Sequence, residues 1–424
     1  MSVDLVALTA ASGLPIATRR VILQKGSALL NGDGPFNCGE IPLNAITTLY
    51  SLNLFSQLNG CNLQLAKTGD DRTKVRWKQF NDSIVLIVIA NGIGLHEDTE
   101  LDSLLELSFD AMVMMCGLAE LGDSNVERLK STVKQANPLV DYFLSSFATG
   151  RGSPRLELIT HCSHYAIASR SSYIASLVNS VAQTASSSFC ALYVHKKLLA
   201  ASSDWWTQLN RQKDSFLISS LLDSMLDIGL IQTREMLIRL PGISPNNLTR
   251  LVINQITKGV VLCILCAEEP SLEFIESEIL VPLNDLNLQE EKLSGYIYEL
   301  RGSKYLSPMT FKDILGKDTA TFVNQITAFL LVNYEHKVYL SFNEELIEEY
   351  FNELVIFTDL GTDKSLTTDC DAYHIGSQVN MYRVSRRHVL LCTFFPSTTT
   401  VKQMIQTNDL QKAFFKAKHF WPSF

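Results

Sequence analysis

The sequence predicts an α+β protein of three similar modules, each an antiparallel five-stranded sheet flanked by helices. Three observations support this prediction. Short apolar runs alternate with turn residues, one order of strands and helices recurs along the chain, and 424 residues are too many for one ordinary domain. We place the modules at residues 1–150, 151–290 and 291–424.

The first module shows this order clearly. The runs VDLVALTA and PIATRRVIL flank a Gly- and Pro-containing turn and predict a hairpin. The apolar spacing of residues 42–58 predicts a helix. CNLQLAK, TKVRWKQF and SIVLIVIA, separated by Gly-Asp-Asp and Asn-Asp turns, then predict an antiparallel meander. Three helices follow, beginning at Asp98, after Ser124 in a capping-box spacing with Glu127, and at Asn137.

The same order recurs twice. In the second module, SSFCALYVHKKLLAAS predicts a hairpin. A helix is predicted for DWWTQLNRQKDSFLISSLLDSML, with Asp204 as its cap. The meander is predicted from LIQTREMLIRLP, RLVINQI and VVLCILCA. In the third, a hairpin ends in KVYLSF, NEELIEEYFNELVIF predicts one helix, QVNMYRVSRRHVLLCTFF predicts a strand pair, and a terminal helix follows. Recurrence of one order is the basis for predicting three modules.

Composition limits the function classes. Lys and Arg number 36 against 44 Asp and Glu, a net charge of −8, so nucleic acid is not expected as a partner. Nine scattered cysteines do not form a disulfide framework and predict reduced, mostly buried thiols. We find no signal-peptide pattern and no apolar run of bilayer-spanning length, and therefore expect a cytoplasmic protein.

The glycine turn after the run SIVLIVIA raises the question of nucleotide binding. Gly92 and Gly94 open it, but a dinucleotide fingerprint would need glycine where Glu97 stands, and no P-loop ending occurs in the chain. The acidic residues at the following helix start would repel phosphate. We expect no cofactor.

Three patterns resemble metal or redox motifs without completing one. The segment beginning at His96 has glutamate at Glu100, where a zinc protease motif has its second histidine. Cys263 and Cys266 lie three apart in a strand and point to opposite faces. His161-Cys162-x-His164 lacks a fourth ligand. We therefore expect no metal site and no catalytic residues.

Three groups of residues are candidates for contacts with partners. If Ile46, Tyr50 and Leu54 pack on their own sheet, the other side of the 42–58 helix needs cover, either from neighbouring domains of the chain or from a partner. Adjacent tryptophans diverge by about 100° on a helix, so one faces either a partner or a neighbouring module. The C-terminal LQKAFFKAKHFW is typical of a docked terminal helix or of contact with an anionic membrane. The residues are Leu49, Leu52 and Phe55; Trp205 and Trp206; and Lys412, Lys416, Lys418 and Trp421.

Five segments of the sequence carry a resemblance to a known family. They are SGLP, PLNAITTLYSLNLFSQL, VRWKQFNDSIVLIVIANGIG, LLELSFDAMVMMCGLAELGDSNVERLK and FCALYVHKKLLAASSDWW. These segments resemble the Fuzzy family of planar cell polarity effectors. The resemblance spans nearly the whole chain, is most specific between residues 77 and 130, and is weakest in the third module. It implies three longin domains, in agreement with the three predicted modules.

The resemblance also implies a role. Fuzzy-like proteins pair with an Inturned-like tri-longin subunit, and the pair is similar to the Mon and Ccz family of Rab guanine-nucleotide exchange factors. The implied partners are that subunit, a Rab-family GTPase and a WD-repeat CPLANE subunit. The implied setting is planar cell polarity and ciliogenesis, at the ciliary base or apical cytoskeleton. Exchange would proceed by non-covalent opening of the GTPase. The alternative is a longin-type trafficking scaffold or adaptor without exchange activity, and a nucleotide-dependent enzyme ranks third.

Overall fold

A computed structural model describes residues 2–22, 41–70, 72–92, 98–149, 153–166, 171–226, 233–257, 259–283, 326–358, 360 and 369–406. They form three β-sheets flanked by helices, which confirms the predicted α+β class. The chain divides into two compact units, Met1–Ile159 with Ile238–Leu248, and Thr160–Leu237 with Thr249–Phe424. The predicted module boundaries near residues 150 and 290 fall outside the described residues and stay a prediction.

The first sheet is antiparallel throughout and has the order β2-β1-β5-β4-β3. Helix α1 packs on one face, over Val6, Leu8, Trp77, Val85 and Ile87. The elements are β1 (Ser2–Thr9), β2 (Pro15–Ile22), α1 (Leu43–Leu58), β3 (Leu65–Lys67), β4 (Thr73–Phe80) and β5 (Ile84–Asn91). The predicted hairpin, helix and meander are confirmed.

Four helices follow: α2 (Asp98–Cys116), α3 (Val126–Val133), α4 (Asn137–Thr149) and α5 (Ser153–Thr160). Helix α2 joins β4 through three ion pairs, and Arg19 of β2 forms a bidentate pair with Asp141 of α4. The predicted cap of α3 is wrong by one residue. Asn125, not Ser124, accepts the backbone hydrogen bond, from the Arg128 amide, because the helix begins at Val126.

The second sheet has the order β8-β7-β11-β10-β9. The prediction for the helix after β8 needs correction. Residues Trp205–Leu209 form a π-helical turn, and Asp204 makes no side-chain cap because its own backbone is already helical. The elements are β6 (Ser163–His164, described below), α6 (Ser171–Thr184), β7 (Phe189–Val194), β8 (Lys197–Ala201), α7 (Asp214–Leu226), β9 (Thr233–Leu240), β10 (Ser244–Thr257), β11 (Val260–Cys266) and α8 (Leu272–Ile275), which continues as a π-helical turn to Leu280.

The third sheet has six described strands, one more than predicted, in the order β14-β15-β16-β12-β13-β6. The single helix predicted after β13 is two helices, because the backbone of Tyr350 departs from helical geometry. The sequence analysis also missed β14. The elements are β12 (Ala328–Asn333), β13 (Val338–Phe342), α9 (Glu344–Glu349), α10 (Phe351–Thr358), β14 (Cys370–Ile375), β15 (Val379–Arg386), β16 (Val389–Pro396) and α11 (Val401–Gln406).

The sixth strand comes from the segment that precedes the second sheet. We call residues 163–166 the strap. Its Ser163 and His164 pair in parallel with β13, and the Tyr165 amide donates to the Tyr339 carbonyl at 2.8 Å. On its other side the Ala166 amide donates to the Leu198 carbonyl of β8 at 2.9 Å. The strap therefore links the second and third sheets inside the second compact unit.

The described cysteines are free thiols, and most are buried. No helix in the described part of the chain combines the length and the hydropathy that a bilayer-spanning segment needs.

Candidate protein-binding site

Helix α1 is attached to the first sheet by its inner side. Ile46 is buried among the sheet residues, and Leu49 and Tyr50 pack beside it. The Tyr50 hydroxyl donates to the Ala10 carbonyl at 3.0 Å. Gly13 has φ +68°, and a Cβ there would lie 2.3 Å from the Tyr50 ring. The turn after β1 therefore requires glycine so that the tyrosine can hold the helix.

The outer side of α1 is apolar and exposed. Leu52 is 49% exposed, Leu54 41%, Phe55 67% and Leu58 77%. In the C-terminal half of the helix, Phe55 lies three residues from both Leu52 and Leu58, and Leu54 lies four from Leu58. Spacings of three and four place side chains next to one another. We call these four residues the α1 patch. Large apolar side chains grouped on a surface are typical of sites that bind other proteins.

The segment around the patch carries no charge. From Ile41 to Ala66 the sequence contains no Asp, Glu, Lys, Arg or His. The hydroxyls of Thr47 and Thr48 donate to carbonyls of their own helix rather than presenting free donors. Because an ordinary exposed helix has a charged outer face, whereas the centres of protein interfaces are depleted of charge, this composition favours an interface.

The structure corrects two of the predicted orientations on α1. Leu54 was expected on the sheet side but is exposed, and Asn53 takes the buried position instead. Leu49 was expected on the outer side but packs against the sheet cluster. The side of α1 that faces the sheet consists of Ile46, Leu49, Tyr50 and Asn53. These residues share one side because residues three or four apart lie next to each other on a helix. Leu52 and Phe55 remain predicted contact residues.

The structure also removes the tryptophan pair from the candidate interface. Trp205 is 0% and Trp206 4% exposed. The Trp205 indole donates to the Ser215 hydroxyl and lies edge-on to Tyr193 of β7, whereas the Trp206 indole donates to the Ala201 carbonyl and lies edge-on to Tyr165 of the strap. Both indoles are buried because β7 packs against Trp205 and the strap packs against Trp206.

The remaining predicted positions lie partly outside the described residues. Lys412, Lys416, Lys418 and Trp421 are not among them, and neither is Gly94 of the glycine turn. Asp98 and Asp102, which were expected to repel phosphate, pair with Lys74 and Arg76 of β4. Within the described ranges, no group of three His, Cys, Asp or Glu side chains is arranged to hold a metal ion.

Leu58 is the most exposed residue of the α1 patch, and sequence reasoning missed it. Periodicity alone did not separate it from the inner stripe, because apolar residues occur on both sides of the helix. The uncharged stretch from Ile41 to Ala66 is a signal in the sequence that identifies the whole segment.

Comparisons with known proteins address the family. Residues 185–281 match the family model described as "Second Longin domain of FUZ, MON1 and HPS1". The "Protein fuzzy homolog" of Xenopus tropicalis is 30% identical over 280 residues, 66% of this chain and 60% of that protein. The chain is similar to Fuzzy proteins, and its residues 185–281 match a longin domain. The human and Rattus norvegicus proteins of the same name are 30% identical over 281 residues and 29% over 280, spanning 66% of the Fuzzy-like chain in both cases.

The Fuzzy-like chain spans 60–62% of the length of these relatives. The family model covers the second sheet with α7 and α8, whereas the α1 patch lies outside its range.

Proposed function

We propose that this chain is a subunit of a heterodimeric guanine-nucleotide exchange factor for a Rab-family GTPase, and that the α1 patch binds either an Inturned-like tri-longin partner or the GTPase. The α1 patch is the observation that carries the proposal, and the similarity to Fuzzy proteins supports the choice of partners. The biological setting we propose is planar cell polarity and ciliogenesis, at the ciliary base or apical cytoskeleton.

The energetics favour a covered patch. Burying one large apolar side chain stabilises a complex by about 1.5–3 kcal/mol relative to leaving it in water. Four such side chains on one helix provide the apolar centre that stable protein interfaces have, and the helix itself carries no charge to desolvate on binding.

The proposed mechanism requires no covalent step. The Ser341 hydroxyl lies 2.9 Å from His164 Nε2, but both side chains are buried. A substrate could not reach them. Opening a GTPase needs only that a protein surface binds the nucleotide-free form more tightly than the nucleotide-bound form.

Two further parts of the proposal rest on the family resemblance and on the C-terminal sequence. A WD-repeat CPLANE subunit is a further proposed partner, and an anionic membrane is proposed to contact Lys412, Lys416, Lys418 and Trp421. A scaffold or adaptor without exchange activity is the alternative function, and the assay below distinguishes it.

The test is the double variant Leu52→Asp/Phe55→Ser. Both side chains are exposed, so the variant should fold like the parent by circular dichroism. Loss of two buried anchors should weaken binding of the partner subunit or GTPase by at least about 100-fold. Release of fluorescent GDP from a Rab-family GTPase should then no longer accelerate.

The matched control is Val281→Ser/Ile356→Asp, which changes two apolar residues that are also exposed and helical, at 53% and 69%. The control should bind and accelerate release normally. A folded α1 variant that keeps both partners and full exchange activity would show that the α1 patch does not carry the function. Stable binding by the parent complex without accelerated release would favour the scaffold.

A further inference from the structure

Helix α2 ends in a glycine turn and lacks a cationic group of its own at this end. The helix runs 19 residues to Cys116 and has no basic residue in its last turn. Gly117 follows with φ +94°, and its amide donates to the Val113 carbonyl at 2.8 Å. The last carbonyls of a helix need donors, and its negative dipole end favours a cation.

A distant part of the sequence supplies both a hydrogen-bond donor and a cation to this end of α2. The guanidinium Nη1 of Arg239 donates to the Met115 carbonyl at 3.1 Å. The Leu118 amide donates to the Pro245 carbonyl at 3.1 Å, and the Ala119 amide donates to Asn246 Oδ1 at 2.8 Å. All three partners belong to residues 238–248, the tip of the β9–β10 hairpin, which is part of the first compact unit.

The fit is close. A Cβ on Gly117 would lie 2.6 Å from Arg239 Nε, so the arginine occupies the space that any other residue would fill. Burial raises the pKa of the Cys116 thiol to about 12, against the opposing effect of the nearby Arg239 charge. On the hairpin itself, Ile238 and Leu240 are buried beside the arginine.

We propose that residues 238–248 are the C-terminal cap of α2, with Arg239 as its cationic group. The hairpin tip is then a structural part of the first longin domain, although the chain reaches it only after most of the second. Arg239 acts as a positioning residue, because it fixes the last turn of α2 and the turn at residues 117–119. This proposal is independent of the α1 patch and of exchange activity.

Hydrogen exchange on the full chain tests the proposal, with Arg239→Met as the main variant. Methionine keeps the apolar stem and removes the charge and the donors. Exchange of the Leu118 and Ala119 amides should become about tenfold faster, whereas protection in the middle of α2 should be retained. Asn246→Ala should accelerate Ala119 selectively, and Arg239→Lys should restore part of the protection by restoring the charge.

The matched control is Arg234→Met, which removes an exposed arginine from the same strand. It should leave residues 115–121 unchanged. Equal exchange in the Arg239→Met and Arg234→Met chains would overturn the proposal. So would a uniform loss of protection across both compact units, because that result would identify Arg239 as a general packing residue. If Arg239→Met fails to fold, Asn246→Ala decides by the same local readout.

Discussion

At the scale of single residues, His164 has the most unusual environment among the described histidines. Its ring stacks on Tyr339 with centroids 4.4 Å apart, and Nε2 lies 2.9 Å from the Ser341 hydroxyl. Glu344 accepts from that hydroxyl and forms a 2.6 Å ion pair with Lys197. Burial, reinforced by the Lys197 charge, lowers the pKa of His164 to about 3, so the histidine is neutral.

This shift predicts a pH dependence of stability. The unfolded chain binds a proton at His164 below about pH 6.5 and the folded chain does not, so stability is fully present above that pH and falls as the pH decreases towards 3. From about pH 7 to about pH 5 the loss should be about 2 kcal/mol. Urea unfolding at both pH values measures it, with His164→Gln lacking this loss.

The exposed His388 provides the control, since His388→Gln should keep the full pH dependence of the parent. The pKa of Glu344 is also shifted. Burial acts to raise it, but the Lys197 charge and the hydrogen bonds from Lys197 and Ser341 lower it, so its own effect on stability lies at more acidic pH. Identical pH dependence in the His164→Gln chain and the parent would contradict the prediction.

The sequence could not predict this arrangement. His161-Cys162-x-His164 is a compact group, and spacing alone suggested only a metal motif to be weighed. The actual partners of His164 lie at Tyr339, Ser341 and Glu344, which chain topology brings to it through the strap. Local patterns carry no information about such distant pairings.

At the scale of elements, β4 and α2 carry oppositely charged side chains at matching intervals along their lengths. Alternate residues of β4, Lys74, Arg76 and Lys78, pair with residues four apart on α2, Asp98, Asp102 and Glu106. A strand advances about 6.6 Å in two residues and a helix about 6 Å in four, so the two rows stay in step. The intervening Val75 and Trp77 face α1 on the other side of the sheet.

The pairs should differ in strength. Arg76 and Asp102 form two hydrogen bonds of 2.6 Å with side chains 16% and 31% exposed, whereas Lys78 and Glu106 form one of 2.8 Å and are more exposed. A double-mutant cycle with Arg76→Met and Asp102→Asn should give a coupling energy of about 1.5 kcal/mol in denaturant unfolding. The cycle with Lys78→Met and Glu106→Gln should give at most about 0.5 kcal/mol. Equal coupling energies would refute the ranking.

The presence of most helices and strands could be predicted from the sequence, but their orientations and ends could be predicted less well. The strands of the first sheet follow from short apolar runs bounded by turn residues, and α1 follows from its helical apolar spacing. The orientation of α1 did not, since apolar residues occur all round the helix and only contact with the sheet selects Asn53 over Leu54. The break at Tyr350 and strand β14 also carry no strong local signal.

At the scale of the whole molecule, the glycine turn after β5 allows a prediction about nucleotides. Gly92 has φ +147°, a backbone conformation that suits a turn, and the helix after it begins with acidic residues committed to ion pairs with β4. Calorimetry of the chain with GTP, GDP and ATP should therefore detect no binding. A micromolar signal that Gly92→Ala abolishes would contradict this prediction.

The recurring order of elements made the three sheets predictable. The contacts between segments far apart in sequence could not be predicted. Each module repeats the same local pattern of strands and helices, which the sequence displays directly. The strap and the hairpin tip at 238–248 instead serve parts of the fold that are far away in sequence. Their sequences resemble ordinary linker and turn segments.

The strap has a consequence for synthesis. Its strand β6 leaves the ribosome roughly 170 residues before β13, a delay of about 10–35 s at ordinary translation rates. During that interval the Ser163 and Tyr165 amides lack their native acceptors, which are the carbonyls of Lys337 and Tyr339. A nascent chain of this protein therefore presents an unpaired strand to chaperones until its third sheet emerges, and C-terminal truncation would make that transient state permanent.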